Sequence, residues 1–431
     1  MRRTPAHEIA DFLRFSNAEG DCLVGLREFR QRDWKHALRW LDDAGLAFYF
    51  LRKVKDTNAT DEIPAWVMSR LEQSFAANRQ RVSEMALRFD SLNKKFTDTG
   101  VRYVVLKGLS LVPGFCPDAH LRHQGDFDYL VDQQSLPMAQ RVVVEAGYCP
   151  KLSLSRQEFS FLTPGTGSAP RSPEQYSAQS PHAVELHLDI LDSDLLPRMP
   201  GVFSVNRPST HQWNGLVFPV LRDEDAFLLQ VLHACSHMFI YWIRMSWLLE
   251  IGFFLNQRAS DTSLWNRIEE RVGDNLMLRE FVVVITELVA KLFAAPIPSL
   301  VGVWGQRIRP ATRVWIENYA RDCAFCDVPP YELWLLPKAK LVLFLHQQYQ
   351  STCVQKHSAR NRLIKFTPRL SLMALSLRDK PSLVLSAGWW KRQLLIRRGL
   401  FHALSGLRYL CEIPRWRWLN RASTRSAALD V

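Results

Sequence analysis

Apolar and polar residues in the first 95 positions follow the period of an α-helix. In "RDWKHALRWLDDAGLAFYFLRKV" apolar residues recur at spacings of three and four, and "LEQSFAANRQRVSEMALRFDSLNKKF" continues the pattern. Such spacing gathers the apolar side chains on one helix face, where they can pack while the other face meets water. The pattern therefore predicts a helical region over residues 1–95.

The pattern shortens to that of strands after this region. "VRYVVLKG" (101–108) predicts a buried strand followed by a turn, and "GDFDYLVD" predicts a second strand. "SLPMAQRVVVEAGY" predicts a helix that ends at Gly147, and "FSFLTP" a short strand. "AVELHLDIL" (183–191) alternates strictly, which predicts a strand with one apolar and one polar face. The Pro-, Ser- and Gly-rich residues 164–182 predict a mobile surface loop.

Helical patterning returns at about Arg222, as in "DEDAFLLQVLHACSHMFIYWIRMSWLLEIGFFL". The chain is therefore predicted to be an α+β protein in which a small mixed β-sheet is flanked by helices on both sides in sequence. The predicted division is an N-terminal helical region over 1–95, an α/β core over 96–220, a helical domain over 221–330 and a basic, Trp-rich helical region over 331–431.

Composition places the chain among globular proteins of a reducing compartment. Of its 431 residues 47% are hydrophobic and 23% charged, and the N-terminus lacks the apolar core of a signal peptide. We therefore expect a cytoplasmic protein, with peripheral membrane association as a further option. Eight cysteines without dense spacing fit free thiols. Cys323 and Cys326, with Cys353 and His357 downstream, could form a zinc site, but ordinary buried thiols fit the loose spacing better.

The net charge of +12 is concentrated near the C-terminus. From Lys338 onward the chain has 18 Lys and Arg against 3 Asp and Glu. This segment interleaves basic residues with tryptophans, namely Trp389, Trp390, Trp416 and Trp418. Such a mixture fits contact with nucleic acid, contact with an anionic membrane surface, or a helical domain with a solvated basic face. The pattern does not choose among these, and it does not give the oligomeric state.

Two carboxylates in the second predicted strand are the main candidates for chemistry. Asp126 and Asp128 share one face of that strand, roughly 7 Å apart along it. They could be its solvated face, or they could hold a divalent cation, which phosphoryl transfer uses to neutralise charge. Glu185, on the polar face of "AVELHLDIL", is the better candidate for a third carboxylate, and Asp189 is the second.

Other polar residues lie near these carboxylates in the predicted order of elements. Gly108 ends the first strand and would let backbone N–H groups approach a phosphate, with Lys107 before it as a point charge and Ser110 after it as a cap. His233 and His237 lie one turn apart on a predicted helix. Because the pattern H-E-x-x-H is not met, packing near the sheet fits these histidines better than zinc binding.

These elements and their order resemble the DNA polymerase beta-like nucleotidyltransferase superfamily. More specifically they resemble its uncharacterised nucleotidyltransferases, through "VLKGLSL" (105–111), "LRHQGDFDYLV" (121–131), "VELH" (184–187) and the helix "HACSHMFIYWIRMSWLLEI". The resemblance covers about residues 20–260. It implies a nucleotidyltransferase core and makes the metal site the favoured interpretation of the paired aspartates.

The resemblance also implies roles for individual residues. Asp126 and Asp128 would bind Mg²⁺ or Mn²⁺, with Glu185 as the third catalytic carboxylate. Gly108 and Ser110 would form the turn that holds the triphosphate of an NTP such as ATP, although an inserted leucine displaces the serine from its usual place. Three further residues lie at matching motif positions, and the resemblance implies less specific roles for them. Lys107 would add positive charge, and Arg122 would hold phosphate or pair with a carboxylate. His187 would be a hydrogen-bonding or structural residue.

The function implied is Mg²⁺-dependent transfer of a nucleoside monophosphate from an NTP to an acceptor, with release of pyrophosphate. The acceptor is open between a small molecule, a protein side chain and a nucleic acid. A small molecule is favoured because no dedicated nucleic-acid motif occurs. The alternative is a non-catalytic binding protein that keeps the fold and uses the basic C-terminal region for nucleic-acid or membrane-surface contacts.

Overall fold

The computed structural model describes most of the first 325 residues and short pieces near the C-terminus. The described ranges are 4–15, 23–151, 158–164, 174–188, 203–240, 243–325, 414–415, 417–419 and 421–422. Apart from those short pieces, the predicted basic region lies outside the described residues, as do Asp189 and Cys326 of the predicted C-x-x-C pair. The described chain falls into two compact units, and the second contains residues 239–240, 309–319 and the C-terminal pieces. The sheet and all candidate site residues belong to the first unit.

Helices surround the sheet in sequence, five before it and the others within and after it. Their bounds are α1 Pro5–Phe12, α2 Val24–Arg27, α3 Gln31–Asp43, α4 Ala47–Asp56, α5 Ala65–Asp98, α6 Leu136–Glu145, α7 Asp223–Ile240, α8 Met245–Arg258, α9 Thr262–Val272, α10 Leu276–Phe293, α11 Ser299–Gln306, α12 Pro310–Asn318 and α13 Ala320–Ala324. Helix α12 belongs to the second unit.

The sheet has seven strands in the order β3-β4-β5-β2-β1-β7-β6. The strands are β1 Tyr103–Val105, β2 Asp126–Val131, β3 Cys149–Pro150, β4 Glu158–Leu162, β5 Ala183–His187, β6 Ser209–Trp213 and β7 Leu216–Val220. The pairs β2–β5 and β1–β7 are parallel and the other neighbours are antiparallel. This mixed sheet with helical flanks confirms the predicted α+β class.

The 34-residue helix α5 covers one face of the sheet. Its Phe89 contacts the rings of Phe127 and Tyr129 on β2 and of Phe218 on β7. Because side chains alternate along a strand, Asp126, Asp128 and Leu130 point to the opposite face. The aromatic packing under α5 therefore fixes which face of β2 carries the aspartates.

The opposite face has a hydrophobic cluster at one end and the candidate site at the other. The cluster joins β1, β2 and helix α7 through Val104, Leu106, Leu130, Leu221 and Leu229. Residues of β2 on the same face before Leu130 extend beyond this cluster, and they are the two aspartates. The apolar packing thus ends where the acidic side chains begin.

Two features of the core differ from the prediction. Residues 209–220 form the hairpin β6–β7, which the sequence analysis missed although Asn214 and Gly215, both with positive φ, are a typical hairpin turn. The second half of the segment predicted as a mobile surface loop, residues 174–182, includes buried side chains, while its mobility stays a prediction. Its Tyr176 is buried, and the Tyr176 hydroxyl donates a hydrogen bond of 2.8 Å to Asp42 on α3. The predicted domain boundaries stay a prediction.

Candidate active site

Strand pairing brings Asp128 and Glu185 side by side. Strands β2 and β5 run parallel with Asp128 opposite Glu185 and Leu130 opposite His187. Val184 and Leu186 are fully buried on the other face of β5, which leaves Glu185 and His187 on the face of the aspartates. The alternation in the sequence therefore decides the face, and the register decides which carboxylates are neighbours.

Lys107 reaches the same place from the end of β1. The backbone N–H of Leu106 donates to the carbonyl of Asp128, and the Lys107 Nζ then lies 3.1 Å from Asp128 Oδ1. The chain turns immediately afterwards at Gly108, whose φ is +70°. A Cβ on Gly108 would lie 2.3 Å from the Nε2 of Gln124, so the turn packs against the residues that precede β2. The Ser110 hydroxyl donates to the carbonyl of Lys107 and closes this turn.

Three ligand-type side chains form a compact group at this point. Oxygen or nitrogen atoms of Asp128, Glu185 and His187 all lie within 4.8 Å of one another. The His187 Nε2 lies 3.3 Å from Asp128 Oδ1 and 3.8 Å from Glu185 Oε2. Asp126 stands outside this group. The structure thus brings together two of the three predicted metal ligands and adds a histidine to them.

The protonation of this group follows from burial and from its neighbours. Burial alone would raise the pKa of Asp128, but Lys107 and His187 outweigh it and hold the pKa below its usual value. Burial, with the charges of Asp128 and Asp126, raises the pKa of Glu185 to about 8. The ionised carboxylate of Asp128 is therefore paired with a lysine and lies beside the Glu185 carboxyl group, which keeps its proton near neutral pH.

The electrostatic balance at Asp126 is the opposite of that at Asp128, whose pKa is lowered. Burial and the charge of Asp128 raise the pKa of Asp126, while Lys107, Arg122 and Arg244 oppose that rise. Asp126 pairs in register with Ala183, two residues along the strands from the Asp128–Glu185 pair. Its place on the shared strand face allows it to contact a ligand bound between these cations.

Arg122 takes part in a buried ion pair. Its Nε lies 3.1 Å from Glu250 Oε1 on α8, and the Tyr49 hydroxyl from α4 donates to the same oxygen at 2.9 Å. The Tyr49 hydroxyl also lies 3.1 Å from the Cys116 Sγ. The carboxylate pairing expected as one alternative for Arg122 is present, and its phosphate role stays a prediction. The network joins the N-terminal helices, the segment before β2 and helix α8.

Two arginines near the site were missed by the sequence analysis. Arg244, the residue before α8, has a buried Nε without a hydrogen-bond partner, and burial and the charge of Arg122 lower its pKa. Arg81 on α5 is 1% exposed and donates only to backbone carbonyls, of which one belongs to Gln124. Neither residue lies in a recognisable motif, and a lone arginine in a helical pattern gives no signal for a role at a distant strand.

His233 and His237 lie on the turns of α7 that follow Leu229 of the hydrophobic cluster. Their rings are 4.5 Å apart and lie 4.4 Å and 4.7 Å from the ring of Trp247. Burial and the charge of Lys107 lower the pKa of His237 to about 4. The same two causes lower the pKa of His233 well below its usual value. The two rings are therefore neutral and pack on Trp247 beside the site, as the sequence analysis favoured.

The donor set fits a divalent cation. The side chain of Asp128 is almost completely buried, and its Oδ2 has no hydrogen-bond partner. A buried unpaired carboxylate oxygen is costly unless a ligand contacts it. Carboxylate oxygens and an imidazole nitrogen within 4.8 Å of one another could supply such a ligand set. The group could therefore hold a metal ion.

A known protein family matches the part of the chain that carries the site. The family described as uncharacterised nucleotidyltransferase matches residues 30–294. The chain belongs to this family. The match begins just before α3 and ends just after α10, so it contains the whole sheet and every residue of the site. Searches of curated proteins and of solved structures give no match.

None of the helices in the described part of the chain combines the length and the apolar character needed to cross a bilayer. The proposed contact of the basic C-terminal region with an anionic surface concerns residues of which only 414–415, 417–419 and 421–422 are described.

Proposed function

We propose that the chain is a divalent-metal-dependent nucleotidyltransferase that uses Mg²⁺ or Mn²⁺. It would transfer a nucleoside monophosphate from an NTP to an acceptor hydroxyl. The acceptor oxygen forms a bond to the α-phosphorus, the bond to the β-phosphate bridging oxygen breaks, and pyrophosphate leaves. The observation that supports this most is the meeting of Asp128, Glu185 and His187 beside Lys107 in a member of a nucleotidyltransferase family.

In this proposal Asp126, Asp128 and Glu185 hold the cation. A bound divalent ion supplies charge neutralisation on the phosphates and a lower pKa for an oxygen bound to it. Glu185 accepts the proton of the acceptor hydroxyl once it is ionised itself. These assignments extend the group of ligand atoms described above by Asp126, which lies on the same strand face.

The remaining roles concern the nucleotide. Lys107 lies beside Asp128 and supplies a positive charge for the phosphates, and the turn at Gly108 and Ser110 presents backbone N–H groups to them. Arg122 is paired with Glu250, so its contribution to the phosphates is the field of a partly neutralised cation. We propose a small molecule as the acceptor, in line with the lack of a nucleic-acid motif in the sequence.

The test is pyrophosphate release from the four NTPs in Mg²⁺ or Mn²⁺, with a panel of small hydroxyl-bearing acceptors. We expect activity in the full chain and a loss of at least about 100-fold in Asp128→Asn and Glu185→Gln, because these changes remove cation ligands. The control is Glu145→Gln, an exposed carboxylate at the end of α6, which should keep full activity. The proposal is wrong if no NTP is turned over and calorimetry detects no binding of NTP with either cation.

A further inference from the structure

The imidazole of His187 faces the two carboxylates and not the solvent. His187 follows Glu185 by two residues on β5 and shares its strand face. Its Nε2 lies 3.3 Å from Asp128 Oδ1 and 3.8 Å from Glu185 Oε2, and its side chain is only 12% exposed. One nitrogen therefore lies at short range from an oxygen of each carboxylate.

These separations match those between ligands of one small cation. With metal–ligand bonds of about 2.0–2.2 Å, two ligand atoms are about 3.0 Å apart at a right angle and about 3.5 Å apart in a tetrahedron. The observed 3.3 Å and 3.8 Å differ from these values by a few tenths of an ångström. Small side-chain rotations would thus bring the nitrogen and both oxygens to a common ion.

Charge balance at Asp128 does not by itself require the histidine. Lys107 already lies 3.1 Å from the same Oδ1 that His187 approaches, so this oxygen has two partners. The other oxygen, Oδ2, is buried without any. The donors are therefore unevenly divided between the two oxygens of Asp128. An ion bound by both of these oxygens would give Oδ2 a partner and let the His187 nitrogen act as a ligand.

We propose that His187 is a nitrogen ligand of the metal ion, and that the site consequently takes Mn²⁺ in preference to Mg²⁺. Imidazole binds transition-metal dications well, whereas Mg²⁺ selects oxygen ligands and keeps its waters. The inference rests on the proposed metal-dependent function and deepens it, since it names the class of ion.

The decisive experiment is pulsed electron paramagnetic resonance of Mn²⁺ added to the full chain without nucleotide. We expect a ¹⁴N coupling in the spectrum that is lost in His187→Gln and kept in His36→Gln. His36 is an exposed histidine on α3 and provides a matched substitution away from the sheet. Bound Mn²⁺ without any ¹⁴N coupling in the wild-type chain would overturn the proposal and leave His187 as a hydrogen-bonding partner of Asp128.

Calorimetry gives the second readout. We expect Mn²⁺ to bind at least about 10-fold more tightly than Mg²⁺, and His187→Gln to weaken Mn²⁺ by about 10-fold or more while changing Mg²⁺ less. An equal loss for both ions would contradict the proposal, as would a wild-type chain that binds neither. The results distinguish a failure of the proposed His187 ligand from a failure of the proposed transferase activity. Turnover of NTPs in Mn²⁺ and Mg²⁺ without nitrogen coupling refutes only the ligand, whereas nitrogen coupling without turnover or binding of any NTP refutes only the transferase.

Discussion

Substitution of Arg81 tests how the two ligand-bearing strands are held in register. Its guanidinium donates from Nε to the carbonyl of Gln124 before β2, and from the two Nη atoms to carbonyls before β5, those of Ser177, Ser180 and Pro181. The four distances lie between 2.7 Å and 3.1 Å. One side chain on α5 thus joins the segments that lead into both strands. Arg81→Met keeps an unbranched apolar stem and removes every donor.

The expected cost can be worked out from these bonds. Hydrogen bonds to a charged donor contribute about 1.5–3 kcal/mol each, so four amount to about 6–12 kcal/mol before other terms. Methionine avoids the desolvation penalty of a buried guanidinium, which is several kcal/mol. We therefore expect Arg81→Met to lower the free energy of unfolding by about 3–5 kcal/mol. That is a large share of the about 5–15 kcal/mol typical of native proteins.

Urea denaturation followed by tryptophan fluorescence measures this change. Arg79→Met is the matched control, because Arg79 lies exposed on the same helix two residues earlier, and it should change the free energy by less than about 0.5 kcal/mol. Arg81→Lys keeps the charge but not the four donors, so it should fold and bind Mn²⁺ more weakly than the wild type. A loss below about 1 kcal/mol in Arg81→Met, with unchanged Mn²⁺ affinity in both variants, would refute the reasoning.

Three further predictions concern the turn, the charge and the pH response. Lys107→Met should tighten Mn²⁺ binding in the absence of nucleotide by about 10-fold, because a cation 3.1 Å from Asp128 repels the metal ion. Calorimetry of the same variant should find weaker NTP binding. Unchanged affinities for Mn²⁺ and NTP would contradict this prediction. Gly108→Ala should lower the free energy of unfolding by about 2 kcal/mol, which is more than the loss in Gly100→Ala. Both glycines have positive φ, but only at Gly108 would the new Cβ meet a side chain, that of Gln124. Equal losses of the two variants in urea denaturation would show that the contact with Gln124 is unimportant. Burial, with Arg88 and Arg81, lowers the pKa of His182 from 6.5 to about 4, so at this residue the unfolded chain takes up a proton first as pH falls. His182 should therefore contribute a loss of about 3 kcal/mol to the free energy of unfolding between pH 6.5 and 4. His182→Gln should have a smaller drop in urea denaturation at these pH values, and an identical drop would rule out this histidine.

The sequence by itself determined the fold class and the faces of the strands. The change from a helical period to alternation located β1, β2, β4 and β5, because a buried strand face and a helix stripe need different spacings of apolar residues. The same alternation placed Asp128, Glu185 and His187 on a polar face. Alternation did not predict the hairpin β6–β7, because the exposed edge strand "STHQW" carries little apolar signal. The turn residues of this hairpin were nevertheless recognisable.

Only the tertiary structure decided which side chains meet. The register of β2 against β5 joins segments more than 50 positions apart, which Arg81 links through backbone carbonyls, so the pairing of Asp128 with Glu185 has no local signature. The same holds for the pairing of Arg122 with Glu250, which lie 128 positions apart in sequence. Side-chain periodicity is a local property of the chain. The group that Asp128, Glu185 and His187 form depends on contacts between segments far apart in sequence, and those arise only when the sheet assembles.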